Sequence, residues 1–340
     1  MKKFLSFVLL ITGCLFAVWG LSGCSSAPSA SSKEKTVHIV CTNFAGYDFA
    51  RQIVKDHGDV TMLVKPGTDV HSFEPTPQDI KKIQSADLFI YNGGDSDEWV
   101  DKILDGSDKK PKAIYKMMDA VNLLPEEHPE GMAEEKEDEH EHEHEHEHEH
   151  GHEQGHKHEH GEEVEMDEHV WTSPVNAIKI TKGIEKAISS VDEKNGESYQ
   201  KNAAAYIGEL SSLDKEFRGI ISSGKRHEII VGDRFPFLYF IKEYNLSYYA
   251  AFPGCSKDTE SNPKTIAFLI NKVKEDHIPV VFHIELSNQQ MSRSIAEATG
   301  TKDLLLNAVH NVSEEDFKKG ITYVDLMKHN AEVLKEALGE

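Results

Sequence analysis

Between residues 134 and 161 the chain carries no apolar side chain, and from residue 140 to residue 150 histidine and glutamate alternate strictly. A stretch of that kind has no face to bury, so nothing offsets the entropy lost on ordering it, and it reads as a solvated, disordered loop. The fold must therefore be built from the residues on either side of an insertion spanning about 126–165. Solvation accounts for the glutamates but not for the imidazoles. Neutral imidazole is a borderline-soft ligand suited to Zn, Cu and Ni, and alternating carboxylates raise the local cation concentration. His140, His142, His144, His146, His148, His150, His152, His156, His158 and His160 thus read as a low-affinity collector without fixed geometry. A tight site has to lie elsewhere.

The same segment explains the charge. The chain of 340 residues has a formal net charge of -22, and residues 126–168 hold 20 acidic side chains against Lys136 and Lys157 alone. The rest is close to neutral. Such a surface repels phosphate backbones, which excludes nucleic acid as a partner. With 38% hydrophobic residues the remainder has the material for two ordinary domains.

Lys2 and Lys3 precede an apolar run over residues 4–21 that ends in Leu21-Ser22-Gly23-Cys24. The run is long enough to compete as a transmembrane anchor. The small residues immediately before Cys24, and Ser25-Ser26-Ala27-Pro28-Ser29 after it, favour a lipoprotein signal peptide over residues 1–23. Cleavage leaves Cys24 to carry lipid, which predicts an extracytoplasmic protein tethered to a bacterial cell membrane, with residues 24–35 as a flexible stalk. Of the other cysteines, Cys14 departs with the signal. Cys41 and Cys255 are open to three readings: a disulfide, two separate core thiols, or Cys255 as a soft metal ligand.

Hydrophobic periodicity then alternates between the two regular forms. Strands are predicted at 36–42, 60–64, 88–91 and 112–115, with helices at 47–57, 77–85 and 99–104 between them. Two long helical stretches follow, 175–191 and 197–222, the second with Tyr199, Ala203, Tyr206, Leu210, Leu213 and Phe217 at spacings of three and four. A second series comprises strands 228–231, 247–252, 279–284 and 304–306, helices 237–244, 263–277 and 289–299, and a last helix at 322–338. Strands alternating with helices imply parallel sheets. The fold class is α/β: a first lobe over 36–174, a linking helix at 175–195 and a second lobe over 196–340, each lobe a parallel-sheet domain, with a ligand cleft at the carboxyl ends of the strands.

Two histidines flank the insertion. His71 stands in a proline-framed loop, Pro66-Gly67-Thr68-Asp69-Val70-His71-Ser72-Phe73-Glu74-Pro75-Thr76-Pro77, and His169 in Asp167-Glu168-His169-Val170-Trp171-Thr172-Ser173-Pro174. With Ala86-Asp87-Leu88 before a buried strand, these motifs resemble the bacterial ABC-transporter substrate-binding lipoproteins that deliver zinc or manganese, and the resemblance covers almost the whole mature chain. It implies two α/β lobes bridged by a long rigid helix with the metal between them, a membrane permease as partner, and no catalysis. His71 and His169 match the two histidines of the family's first lobe. In the second lobe the match is looser. The stretch Val231-Gly232-Asp233-Arg234-Phe235-Pro236-Phe237 has Asp233 as its nearest ligand-capable side chain, about one position off, and Pro253-Gly254-Cys255 stands where manganese-type members place a glutamate. His310 falls closest to the fourth family position. Glu285 matches a glutamate near the cleft, and it reads as a support or alternative ligand. His283, two residues earlier on the expected strand, reads as an alternative ligand or a satisfied core histidine.

These residues imply Zn2+ capture by a monomeric receptor. Zinc is preferred over Mn2+ because nitrogen donors suit borderline metals, and such a site loses metal below about pH 6 as imidazoles protonate. The readings from other classes are an extracellular metal buffer or adhesin working through the loop alone, and a zinc hydrolase. The second lacks a His-Glu-x-x-His helix and any nucleophile motif.

Overall fold

A computed structural model describes residues 36–132, 165–256 and 262–339. The signal peptide, Cys24, the stalk and the alternating His/Glu stretch lie outside the described residues. The first series consists of β1 (Val37–Cys41), α1 (Phe44–Val54), β2 (Gly58–Met62), α2 (Pro77–Ser85), β3 (Leu88–Tyr91), α3 (Glu98–Asp105) and β4 (Ala113–Lys116). Helices α4 (Pro174–Val191) and α5 (Gly196–Ser223) follow. The second series is β5 (Glu228–Arg234), α6 (Leu238–Tyr244), β6 (Ser247–Phe252), α7 (Pro263–Glu275), β7 (Val280–His283), α8 (Gln290–Thr299), β8 (Lys302–Leu305), α9 (Glu314–Lys319) and α10 (Tyr323–Leu338).

Each series makes one all-parallel sheet, in the order β2-β1-β3-β4 and β6-β5-β7-β8. The central strands are apolar on both faces, as Leu88-Phe89-Ile90 and Val280-Val281-Phe282 show, because helices cover both sides. Val40 and Phe89 face a small core under α2 and α3, and Ile230 and Val281 another with Leu269 and Ile295. The opposite faces, through Ile39, Ile90, Val231 and Phe282, join one continuous core that also takes Phe49, Trp171, Tyr206 and Tyr323. Helix α5 is the element that spans this core: its 28 residues reach about 42 Å, and it packs on α1 of the first series and on α6 and α10 of the second. Helix α4, within the stretch expected as the link, lies on β3, β4 and α1. Buried Asp48 of α1 knits the halves further, accepting from Tyr323 N at 2.8 Å and from Tyr206 Oη at 3.3 Å.

Several elements depart from the periodicity; β5 runs three residues past its expected end and β8 begins two residues early. Helix α1 starts at Phe44, three residues early, because the Asn43 side chain caps it by accepting from Gly46 N at 3.0 Å. Strand β2 lies two residues before its expected place, with Val37 opposite Gly58. Helix α9 has no apolar stripe to betray it. It is held by the Ser313 cap, with three acids in its first turn and two lysines in its last.

Candidate metal centre

The loop after β2 is shaped from within and from across the molecule. Asp69 accepts from His71 N at 3.1 Å and starts a single 3-10 turn, Val70–Ser72. Gly67, at φ +80°, takes the left-handed conformation that lets its N–H reach Val312 O at 2.8 Å. Asn311 Nδ2 donates to Lys65 O at 2.7 Å and Thr68 O at 2.9 Å. His71 is thereby placed with Nδ1 3.0 Å from Ser96 Oγ.

His169 is fully buried where the chain returns before α4. Asp167 Oδ1 accepts from its backbone N–H at 2.7 Å and lies 3.1 Å from its Nδ1. Glu168 reaches the other way, accepting from Ser96 N at 2.7 Å, so one short segment orients His169 and braces the serine beside His71. Gly254 lies against the ring: a Cβ there would come within 3.0 Å of His169 Cε1 and 2.9 Å of Phe235 O.

His310 comes from the second half, in the loop after β8. Glu285 holds that loop by accepting from Ala308 N at 2.6 Å and His310 N at 2.9 Å, and Trp171 Nε1 donates to Ala308 O at 2.8 Å. Val309, between those two anchored residues, is forced to φ +61°. A β-branched residue in that region marks strain imposed by its surroundings.

The three imidazoles converge. Ring centroids lie 4.5 Å apart for His169 and His310, 5.2 Å for His71 and His310, and 5.9 Å for His71 and His169. One ligand nitrogen from each lies within 4.8 Å of the other two. In a tetrahedral zinc sphere such nitrogens are about 3.3 Å apart, given Zn–N bonds of about 2.0 to 2.1 Å, so a small contraction would close the group on an ion. Nε2 of His169 and of His310 is buried with no hydrogen-bond partner among the described residues. The electrostatics differ from ring to ring. Burial, with the neighbouring His169, His71 and Arg234, drives His310 well below the ordinary imidazole pKa, so it is neutral and ready to ligate at pH 7. Burial pulls His169 the same way, but Asp167, Glu168 and Glu126 outweigh it and its pKa ends raised.

The family described as ZnuA, zinc-uptake complex component A, periplasmic, matches residues 39–337. The chain belongs to the ZnuA family. It is 35% identical to the high-affinity zinc uptake system protein ZnuA of Bacillus subtilis (strain 168), over 99% of each chain. It is 33% identical to the zinc-binding lipoprotein AdcA of Streptococcus pneumoniae (strain ATCC BAA-255 / R6), with 99% of this chain matched but only 61% of that longer relative. The crystal structure of the Zn(II)-bound ZnuA-like domain of Streptococcus pneumoniae AdcA superposes with a TM-score of 0.70 at 30% identity, covering 90% of this chain and 100% of that one.

Within this ZnuA-family chain the other sequence candidates separate from the three histidines. Asp233 is outside their group: it lines a neighbouring groove of about 250 Å³ with Ser287, Asn288 and Met291, and its Oδ1 accepts from Arg234 N at 2.9 Å. The register shift between Val231 and Arg234 intervenes, and Arg234 is the residue that lines the small cavity beside His71 and His310. His283 is a satisfied structural histidine, its Nδ1 2.7 Å from Asp303 Oδ1. Glu285 lies beyond β7, which ends at His283, in the following loop, so the two do not share a strand face. Glu285 supports His310 instead of joining the ligand group. Cys41 and Cys255 are free thiols. Cys255 belongs to a different group from the histidines, with Glu126 and Glu165; its N–H donates to Glu126 Oε1 at 3.1 Å, and burial together with Glu168, Glu126 and Asp167 keeps the thiol protonated. Of the supporting residues, Asp167 entered the sequence reading only as the first residue of the His169 motif, and Ser96, Arg234 and Asn311 were given no role. Arg234 had a signal one position from Asp233, whereas Ser96 had none.

Proposed function

We propose that this chain is an extracytoplasmic receptor that captures Zn2+ between its two halves through His71, His169 and His310 and delivers it to the membrane permease of an ABC importer. The observation that carries the reading is the convergence of three imidazoles from both halves, with two Nε2 atoms buried and lacking hydrogen-bond partners among the described residues. A buried nitrogen lone pair without a donor is costly in a folded protein and becomes useful when a cation arrives. An all-nitrogen set suits zinc better than manganese, which prefers oxygen. Ligands drawn from both halves make binding and closure one event, and release then requires the halves to part. The chemistry is that of cargo handling, not catalysis. Lipidation at Cys24 would keep the monomeric receptor at the membrane, and the His/Glu stretch would raise the zinc concentration at the cleft.

Competitive Zn(II) and Mn(II) titration of the chain, with and without residues 134–161 and beside His71→Ala and His310→Ala, tests this. One tight zinc site that survives the deletion and is lost in both point variants is expected. Loss of all tight binding with the deletion would make the protein a surface metal buffer.

A further inference from the structure

Zinc held by three histidines lacks a fourth ligand, and among the described residues the ligand group has only three members. The nearby carboxylates already serve backbone or side-chain partners. Glu285 uses both oxygens on the N–H groups of Ala308 and His310, Asp167 Oδ1 is taken by His169, and Asp69 Oδ2 by Arg234 Nη2 at 2.9 Å. What the site offers is space. A cavity of about 20 Å³ is lined by Thr68, Asp69, His71, Arg234, Glu285 and His310, and about 10 to 15 Å³ is enough to admit one water-sized occupant.

Arg234 decides what kind of occupant. Its side chain is only 13% exposed, and its Nε is buried with no hydrogen-bond partner among the described residues. A guanidinium stays charged at any pH the protein meets and donates only, so that Nε asks for an acceptor. Asp69 pairs with the Nη2 side of the guanidinium, but a zinc dication on neutral imidazoles would add further positive charge beside it. An anion in the cavity would answer both: it would accept from Arg234 and occupy the open position on the metal.

We propose that this receptor binds zinc together with a small monovalent anion of chloride size, which occupies the cavity between His71, His310 and Arg234 as the fourth zinc ligand. The proposal rests on the three-histidine reading above and adds Arg234 as the residue that selects the co-ligand. It predicts that zinc affinity depends on chloride itself and not on ionic strength.

The test is a chelator-competition measurement of zinc affinity on the full-length chain, with chloride exchanged for methanesulfonate at constant ionic strength, together with visible spectra of the Co(II) form. In the wild type, raising chloride from trace levels to about 100 mM should tighten binding roughly tenfold, and replacing chloride with bromide should shift the cobalt bands. In Arg234→Gln the chloride dependence should flatten, and Arg234→Lys should restore part of it. If Arg234→Gln does not fold, the wild-type halide series decides alone. A wild-type affinity and cobalt spectrum indifferent to halide would overturn the anion. Tight zinc binding retained in His310→Ala would instead overturn the three-histidine site on which the proposal stands.

Discussion

In the first half of the molecule the loop after β2 and the segment before α4 each deliver an imidazole. The second half repeats the strand order, yet only its loop after β8 does so, and the end of β5 presents an arginine. The loops are also braced differently. The rings of His71 and His169 meet side chains of their own half, Ser96 and Asp167, although Asn311 of the second half also holds the His71 loop, while His310 is set by Glu285 gripping its backbone and by Trp171 reaching across from the other half. Topology thus fixes where a ligand can be placed, at the carboxyl ends of parallel strands. It does not fix which loop supplies one.

The strongest way to break this comparison is to remove one proposed ligand from each half. His169→Ala and His310→Ala should each weaken zinc binding by at least about 100-fold, since removing mere supports already costs about 10 to 100-fold. Asp233→Ala should stay within about twofold, and equal losses in all three variants by chelator competition would refute the division. Glu285→Gln comes next. Losing the charged grip on Ala308 and His310 should cost about 10 to 100-fold in zinc affinity, with the far-ultraviolet circular dichroism unchanged. Asn311→Ala tests the coupling of the loops across the halves. It strips partners from the carbonyls of Lys65 and Thr68, and urea unfolding should show a loss of about 1 to 2 kcal/mol.

The smallest effect concerns pH, where the two halves should behave oppositely in the metal-free protein. His169 has a raised folded pKa, so its contribution to stability is present below pH 6.5 and is lost as pH rises through the folded value. His310 has a depressed one, so its contribution is present above pH 6.5 and is lost as pH falls toward the folded value. Relative to wild type, His169→Gln should therefore be more destabilised at pH 6 than at pH 8, and His310→Gln the reverse. Parallel slopes in urea unfolding would show that the two environments are not distinct.

The elements that carry the fold were legible because burial on both faces, or on one stripe, writes itself into the spacing: α2, β3 and β6 lie where periodicity puts them. Helix α9 was not, because caps and terminal charges rather than apolar contacts hold it. At the site, His71 and His169 were legible from stiff, distinctive loops. His310 was legible only by resemblance, its loop being defined by a glutamate 25 residues away. Asp233, the nearest carboxylate by resemblance, lines the neighbouring groove, and Arg234 lines the cavity beside the histidines past the irregular end of β5. Ser96 was invisible, since a serine in a polar turn announces nothing about the imidazole folded onto it.

The most direct measurement is diffraction from zinc-loaded crystals at energies flanking the zinc absorption edge. The account predicts one strong anomalous peak about 2.0 to 2.1 Å from an imidazole nitrogen of each of His71, His169 and His310. A principal peak on Asp233, or beside Cys255 and Glu126, with the three histidines left unligated, would contradict it.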